Sequence, residues 1–325
     1  MDTMEKRVVG IDIGGQSTKL GIVDARGNIL CQSVISSLQS NLDDFLADLT
    51  NALTDLIQQA GGKEVIKGIG VGAPNGNYYK GSIEFAPNLK WGYDDNGKPM
   101  IIALGKLLSD RIGVPVSVTN DANAAAVGEM TYGVARGMKN FIMITLGTGV
   151  GSGIVINGQV LYGSDGFAGE LGHTIAVRGG RPCNCGRAGC LETYTSAIGV
   201  ARTAREFLSN QDTPSLLRAL DPERISSKDI YEAAEKGDQL AIDIFEYTGK
   251  ILGQSLADFV AFSAPEAIVL FGGLTKARKY IEEPIARHMN DNLLNIWKNK
   301  IRLEYSQLKD SDAAILGASA LAWEL

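Results

Sequence analysis

One order of elements, written twice, constrains this chain more than any other feature. Residues 7–13 (RVVGIDI) read as a buried strand broken by a single acid, Asp12. Gly14-Gly15-Gln16-Ser17 follow as a tight turn, TKLGIVD returns as a second strand, and NILCQSVI makes a third. A helix opens near Ser40, with Asp43 and Asp44 in its first turn. Leu42, Phe45, Leu46, Leu49, Leu53, Leu56 and Ile57 keep a three-or-four spacing until Gly61-Gly62 stop it. KGIGVGAP is a strand ending in a Pro74-Asn75-Gly76 turn; a helix over about 100–112 and the strand PVSVTND follow. The order β-β-β-α-β-α-β is thereby complete in the first 120 residues.

A similar order starts again at NFIMITLG, and GSGIVI and QVLYG pair around Asn157-Gly158, a two-residue hairpin signal. Helices are predicted over 195–209, 226–236, 238–262 and 276–294, strands at EAIVLFGG and IRLEY, and a closing helix over 312–324. One α/β pattern used twice implies two related lobes with a cleft between them, as the length of 325 residues, long for one core, also implies. The chain is expected to cross back after IRLEY, giving a small lobe of 1–119 plus about 306–325 and a large lobe of 120–305. The segment 84–99, with Trp91 and Tyr93, reads as an irregular loop, either a rim over a pocket or a subunit contact.

Inside the large lobe, the stretch 166–192 (GFAGELGHTIAVRGGRPCNCGRAGCLE) gathers three of the four cysteines and one of the two histidines. Cys183, Cys185 and Cys190 form a C-x-C-x4-C hook ten residues after His173. Three thiols and an imidazole complete a tetrahedral set for Zn²⁺ with no place for water, which makes the metal structural. Gly186 and Gly189 free the backbone to wrap the ion. The alternative, unrelated small hydrophobes, fits poorly with so polar a segment. A metal here would pin Glu170, His173 and Glu192 (the segment 173–192 and its flank) into a wall of polar groups suited to a hydroxylated ligand.

Three glycine turns follow strands: Asp12-Ile-Gly14-Gly15, Leu146-Gly147-Thr148-Gly149 and Phe271-Gly272-Gly273. Their free amides suit phosphate, and Asp12 suits hydrated Mg²⁺, although a buried acid capping a turn is the bland reading. No G-x-x-x-x-G-K-[ST] occurs, and the glycines of Gly68-Ile-Gly70-Val-Gly72 lie within a strand, so neither a P-loop nor a dinucleotide fingerprint is present. Asn120-Asp121 stands where a strand meets an alanine-rich helix. That position fits a helix cap and a catalytic carboxylate equally well.

Lys plus Arg total 31 against 37 Asp plus Glu, a net charge of −6 that offers no footprint for nucleic acid. The uncharged run from Phe141 to Ser164 is too rich in glycine and polar residues for a membrane span, and MDTMEKR is no signal peptide. Metal-committed thiols fit a reducing, cytoplasmic setting.

Taken in order, Asp12-x-Gly-Gly, Asn120-Asp121, Leu146-Gly-Thr-Gly, Glu170-x-Gly-His173, Cys183-x-Cys-Gly-x-x-Gly-Cys190-x-Glu192 and Gly272-Gly273 resemble the ROK family of bacterial sugar kinases and sugar-responsive repressors. The resemblance runs from about residue 7 to the C-terminus. It implies an α/β chain of the actin/hexokinase-like ATPase fold, two ribonuclease-H-like lobes. It implies that ATP and Mg²⁺ are held at Asp12, Gly14, Gly15, Gln16, Gly147, Thr148, Gly149, Gly272 and Gly273. The hexose is implied to bind Asn120, Asp121, Glu170, His173 and Glu192, with Asp121 as base, and Gly72, Ala73 and Asn88 on the small-lobe side. Zn²⁺ is implied on His173, Cys183, Cys185 and Cys190. Gln16 departs from the family's usual Thr and puts the placement of the γ-phosphate in question. An ATP-dependent glucose kinase is the expected activity. Kinases for N-acetylglucosamine, N-acetylmannosamine, fructose or allose are the alternatives, as is a repressor, whose helix-turn-helix module would precede a first strand that here starts at about residue 7. A homo-oligomer, dimer or tetramer, is expected by resemblance alone.

Overall fold

The runs RVVGIDI and STKLGIV are apolar on both faces because both faces are covered: Val8, Val9, Ile11, Leu20, Ile22 and Val23 are wholly buried. A computed structural model describes residues 5–309 and 312–325, so the opening Met-Asp-Thr-Met of the segment read against a signal peptide lies outside it. Strands β1 (Arg7–Ile13), β2 (Ser17–Val23) and β3 (Ile29–Ser36) form the expected meander. Helix α1 (Leu42–Gln59) begins where the Asn41 side chain accepts the Asp44 amide. It turns Phe45, Leu46, Leu49, Leu53, Leu56 and Ile57 to the sheet and ends before Gly61 and Gly62, both at positive φ.

Strand β4 (Ile66–Ala73) lies parallel to β1. A small antiparallel sheet, absent from the sequence reading, joins β5 (Gly76–Asn77), β6 (Ser82–Glu84) and β7 (Ile101–Ile102). Helix α2 (Leu104–Ile112) ends at Gly113 and leads to β8 (Val116–Asn120), completing the order β3-β2-β1-β4-β8; α3 (Asp121–Tyr132) follows without a break. The 84–99 segment is neither rim nor subunit contact at Trp91. That indole is fully buried and stacks on Phe45 with centroids 4.0 Å apart, so this part of the segment plugs the core beside α1 while Phe85 and Asn88 stay exposed.

The second half opens with β9 (Phe141–Leu146) and β10 (Val150–Ile156), and a tight turn with both Asn157 and Gly158 at positive φ leads into β11 (Gln159–Val160). Helices α4 (Glu192–Thr195), α5 (Ala197–Asn210), α6 (Ser227–Glu235) and α7 (Gln239–Ser263) come next, α6 starting in a capping box between Ser226 and Asp229. Strand β12 (Ala267–Phe271), helix α8 (Arg278–Asn292) and strand β13 (Arg302–Tyr305) complete a sheet of order β11-β10-β9-β12-β13, and α9 (Ala313–Leu321) closes the chain. His288, expected on the surface, is half-buried and within 3.1 Å of Glu246.

By its contacts the chain divides into Met1–Met138 with Gly153–Gly169 and Ser306–Leu325, and Lys139–Ser152 with Glu170–Tyr305. The expected change of lobe at residue 120 moves to 138. The reason is α9, which packs on α3 and on β1 and β4, tying α3 to the first sheet. These contacts are backbone to backbone. A Cβ on Gly10 would lie 2.0 Å from the Ile315 carbonyl oxygen, one on Gly70 1.9 Å from that of Ala318, and one on Gly128 2.7 Å from the Cα of Gly317. Gly70→Ala is therefore expected to destabilise the protein by about 3 kcal/mol in urea unfolding, whereas Gly158→Ala, with open space around it, costs far less despite its positive φ.

Candidate active site

In the first unit the parallel register aligns Asp12 with Gly72, Gly72 with Thr119 and Ala73 with Asn120, so the candidate acids leave the carboxyl ends of β1 and β8, the two strands that flank β4. Gly72 stands between them with no side chain: a Cβ there would lie 3.6 Å from the Asp121 Cα and 4.0 Å from the Asp12 Oδ1. The Asn120 side chain caps α3 by accepting the Ala122 amide at 2.9 Å, and Asp121 Oδ1 accepts the same amide at 2.8 Å. The cap reading and the site reading thus coincide, since capping fixes the pair at the positive end of the helix.

Asp12, half-buried, has its pKa raised to about 6, first by desolvation and then by the charge of Asp121, with Lys19 pulling the other way. Asp121 is open to solvent at its helix start, yet enough protein surrounds it that desolvation raises its carboxyl above the ordinary value. Two neighbouring carboxylates that each disfavour charge form a natural seat for a cation or a proton. The turn after β1 is closed by the Gly14 amide on the Ser17 carbonyl and the Ser37 amide on that of Gln16, leaving the Gln16 side chain exposed. Neither Gly14 nor Gly15 has positive φ. Gly15 is needed for room, because a Cβ would sit 3.1 Å from the Asn88 carbonyl oxygen and 3.3 Å from its Cβ, which places exposed Asn88 on the turn.

In the second unit Val150 anchors two groups. Its amide donates to Glu192 Oε2 at 2.9 Å, and its carbonyl oxygen lies where a Cβ on Gly172 would come within 2.1 Å. Glu170-Leu171-Gly172-His173 is a single 3₁₀ turn resting on the end of the Gly147-Thr148-Gly149 loop, and Glu192, at the start of α4, is tied to the same spot. Gly272, at φ +107, presses on the Leu146 backbone, which joins the second and third glycine turns. Beside them opens a cavity of about 590 Å³ with mainly apolar walls, lined by Gly147, Thr148, Gly273 and Leu274, with Ser227 and Tyr231 from α6. The α6 residues carry no local signal of such a place; only the tertiary path of the helix brings them there.

The ligand atoms of His173, Cys183, Cys185 and Cys190 all lie within 4.8 Å of one another. Cys183 Sγ is 3.7 Å from His173 Nδ1, and Cys185 Sγ is 3.6 Å from Cys190 Sγ. Tetrahedral zinc with bonds of about 2.3 Å to sulfur requires S···S edges of about 3.8 Å, so the donor set fits that ion. Gly186 and Gly189 both have positive φ, as the hook requires. Arg181, which the sequence reading passed over, fastens the hook from behind. Its guanidinium is buried and donates to Glu206, Thr203 and the carbonyls of Thr193 and Gly199, and it lies 4.4 Å from the Tyr194 ring centroid. All five of its N–H groups are used.

The chain matches the ROK family over residues 8–324. It is 36% identical to a glucokinase of Halalkalibacterium halodurans over 96% of this chain and 94% of the relative. It resembles the crystal structure of a ROK family glucokinase from Streptomyces griseus in complex with glucose and AMPPNP (31% identity, TM-score 0.77, 98% and 100% covered). It also resembles a ROK family transcriptional regulator homologous to the E. coli MLC protein (26% identity, TM-score 0.86, 100% and 79% covered). Its fold is the actin/hexokinase-like ATPase fold, and the chain belongs to the ROK family.

Proposed function

We propose that this chain transfers the γ-phosphoryl group of ATP to a hexose, with glucose as acceptor and glucose 6-phosphate as product. The observation that carries the reading is the pair Asp12 and Asp121, set either side of the bare Gly72 at the ends of β1 and β8, on a chain 36% identical to a glucokinase. A sugar-responsive regulator needs neither carboxylate for its chemistry.

Phosphoryl transfer passes through a loose transition state, so catalysis rests on positioning and on charge. Asp121 orients the sugar hydroxyl and takes its proton as the O–P bond forms. The raised pKa makes it a better base, and its exposure leaves it within reach of substrate. Asn120 and Asn88 hold neighbouring hydroxyls, as do Glu170, His173 and Glu192, and a ligand on Nδ1 of His173 leaves Nε2 free for an oxygen. Gly14, Gly15 and Gln16 in the first unit and Gly147, Thr148, Gly149, Gly272 and Gly273 in the second are the phosphate-binding turns, and the 590 Å³ cavity of the second unit suits the nucleobase. Asp12 would hold Mg²⁺, which would neutralise phosphate charge. His173, Cys183, Cys185 and Cys190 would hold Zn²⁺ in a closed structural site that braces the sugar-binding turn without entering the reaction.

A coupled assay over a panel of hexoses should find glucose preferred, with Asp121→Ala lowering kcat by at least about 10³-fold while glucose still binds; near-normal turnover in that variant would remove Asp121 as base. Zinc analysis should give about one ion per chain, lost together with glucose affinity when Cys183 and Cys185 are replaced by Ser.

Asp12 sets opposite trends for stability and activity. Its folded pKa of about 6 lies above the unfolded 3.8, so ionising it costs stability. The cost is absent below about pH 4 and complete above about pH 6. Without Mg²⁺, Asp12→Asn should stabilise the protein by about 2 kcal/mol at pH 7.5 and by little at pH 4, while abolishing most turnover. Equal stabilisation at both pH values would contradict the assignment.

A further inference from the structure

Among the described residues, five other than glycine have positive φ: Asn75, Phe85, Asn157, Ala264 and Asn299. Three are asparagines, which tolerate that backbone, and Ala264 ends α7 as its left-handed cap. Phe85, at φ +54, has neither excuse. It is bulky, it is no helix cap, and its side chain is 51% exposed. Neither the backbone nor the core therefore explains a phenyl ring at this position, and Asn or Gly would satisfy the turn at less strain.

The turn is nonetheless held firmly. The Phe85 amide donates to the Met100 carbonyl at 2.9 Å, and the Asn75 side-chain amide donates to the carbonyls of Glu84 and Phe85 at 2.9 and 3.3 Å. The Glu84 amide in turn donates to the Asn75 carbonyl at 3.1 Å. Asn75 is joined to Gly76, where a Cβ would come within 2.1 Å of the Thr119 carbonyl oxygen and 2.9 Å of the Asn120 amide nitrogen. Three residues after Phe85, Asn88 rests on Gly15. One strained, exposed aromatic is thus clamped between the backbone that carries Asn120 and the segment that carries Asn88.

We propose that the Phe85 ring is a further substrate-binding residue, packing on an apolar C–H face of the hexose held by Asn120, Asp121 and Asn88. The inference rests on the sugar-kinase reading given above. A pyranose offers hydroxyls around its edge and C–H groups on its faces, so carboxylates and amides alone leave a face uncovered; an aromatic ring covers it. Phe85 then fixes the tilt of the sugar while Asp121 addresses the reacting hydroxyl.

The test compares wild type with Phe85→Asn, which suits the left-handed backbone, and with Phe85→Tyr, which keeps the ring. Phe85→Asn should raise KM for glucose about three- to tenfold, the size of one lost aromatic contact, leaving KM for ATP unchanged and the unfolding temperature equal to or above that of wild type, since Asn relieves the strained turn. Phe85→Tyr should restore most of the affinity. An unchanged KM for glucose in Phe85→Asn would overturn the proposal. A fall in its unfolding temperature would also do so by assigning the ring to packing, and a change in sedimentation by assigning it to an interface. If wild type phosphorylates no hexose, it is the kinase reading that fails, and the two failures are told apart by that control.

Discussion

The first unit depends on backbone lying against backbone. At Gly10 and Gly70 the central strands accept the carbonyls of α9 at distances no side chain allows, and at Gly128 and Gly317 helix meets helix in the same way. Dispersion gains rise steeply at such separations, and the absence of Cβ atoms is what permits them. The consequence is positional. With α9 seated on β1 and β4 and α3 seated on α9, the first turn of α3 is fixed against Gly72 at the end of β4, and Asp121 and Asp12 come to stand on either side of it.

That neighbourhood is costly by itself. Both carboxyls are raised, and the charge of Asp121 adds to the rise at Asp12, so the fold holds an unfavourable arrangement that a cation or a proton would relieve. The left-handed turn at Phe85 belongs to the same pattern. Strain and desolvation collect around Asn88, Asn120 and Asp121, while the surrounding strands are regular and their apolar side chains buried.

The second unit solves a different problem, holding polar groups still on a loop-rich surface. Val150 receives Glu192 on its amide and Gly172 against its carbonyl; Arg181 spends every donor on α5, Glu206 and the carbonyl of Thr193; the three thiols and His173 close on a common point. Each tie is short-range, and together they replace the burial that such a polar segment cannot obtain.

The sequence by itself determined the long strands and helices, the stop at Gly61-Gly62, the Asn157-Gly158 turn, and the grouping of the metal hook and the strand-end acids, because those depend on local spacing: apolar periodicity, glycine at forced turns, and ligands close along the chain. It also carried the family, through motifs whose order survives in one dimension. It could not determine that α3 joins the first sheet, that Trp91 is core and not rim, that α6 lines a cavity, or that Phe85 stands exposed at positive φ. Those outcomes depend on residues far apart in sequence, on which carbonyl meets which glycine and which ring finds Phe45. Only packing in three dimensions decides them, since a Cβ that clashes and one that fits are spelled with the same letter.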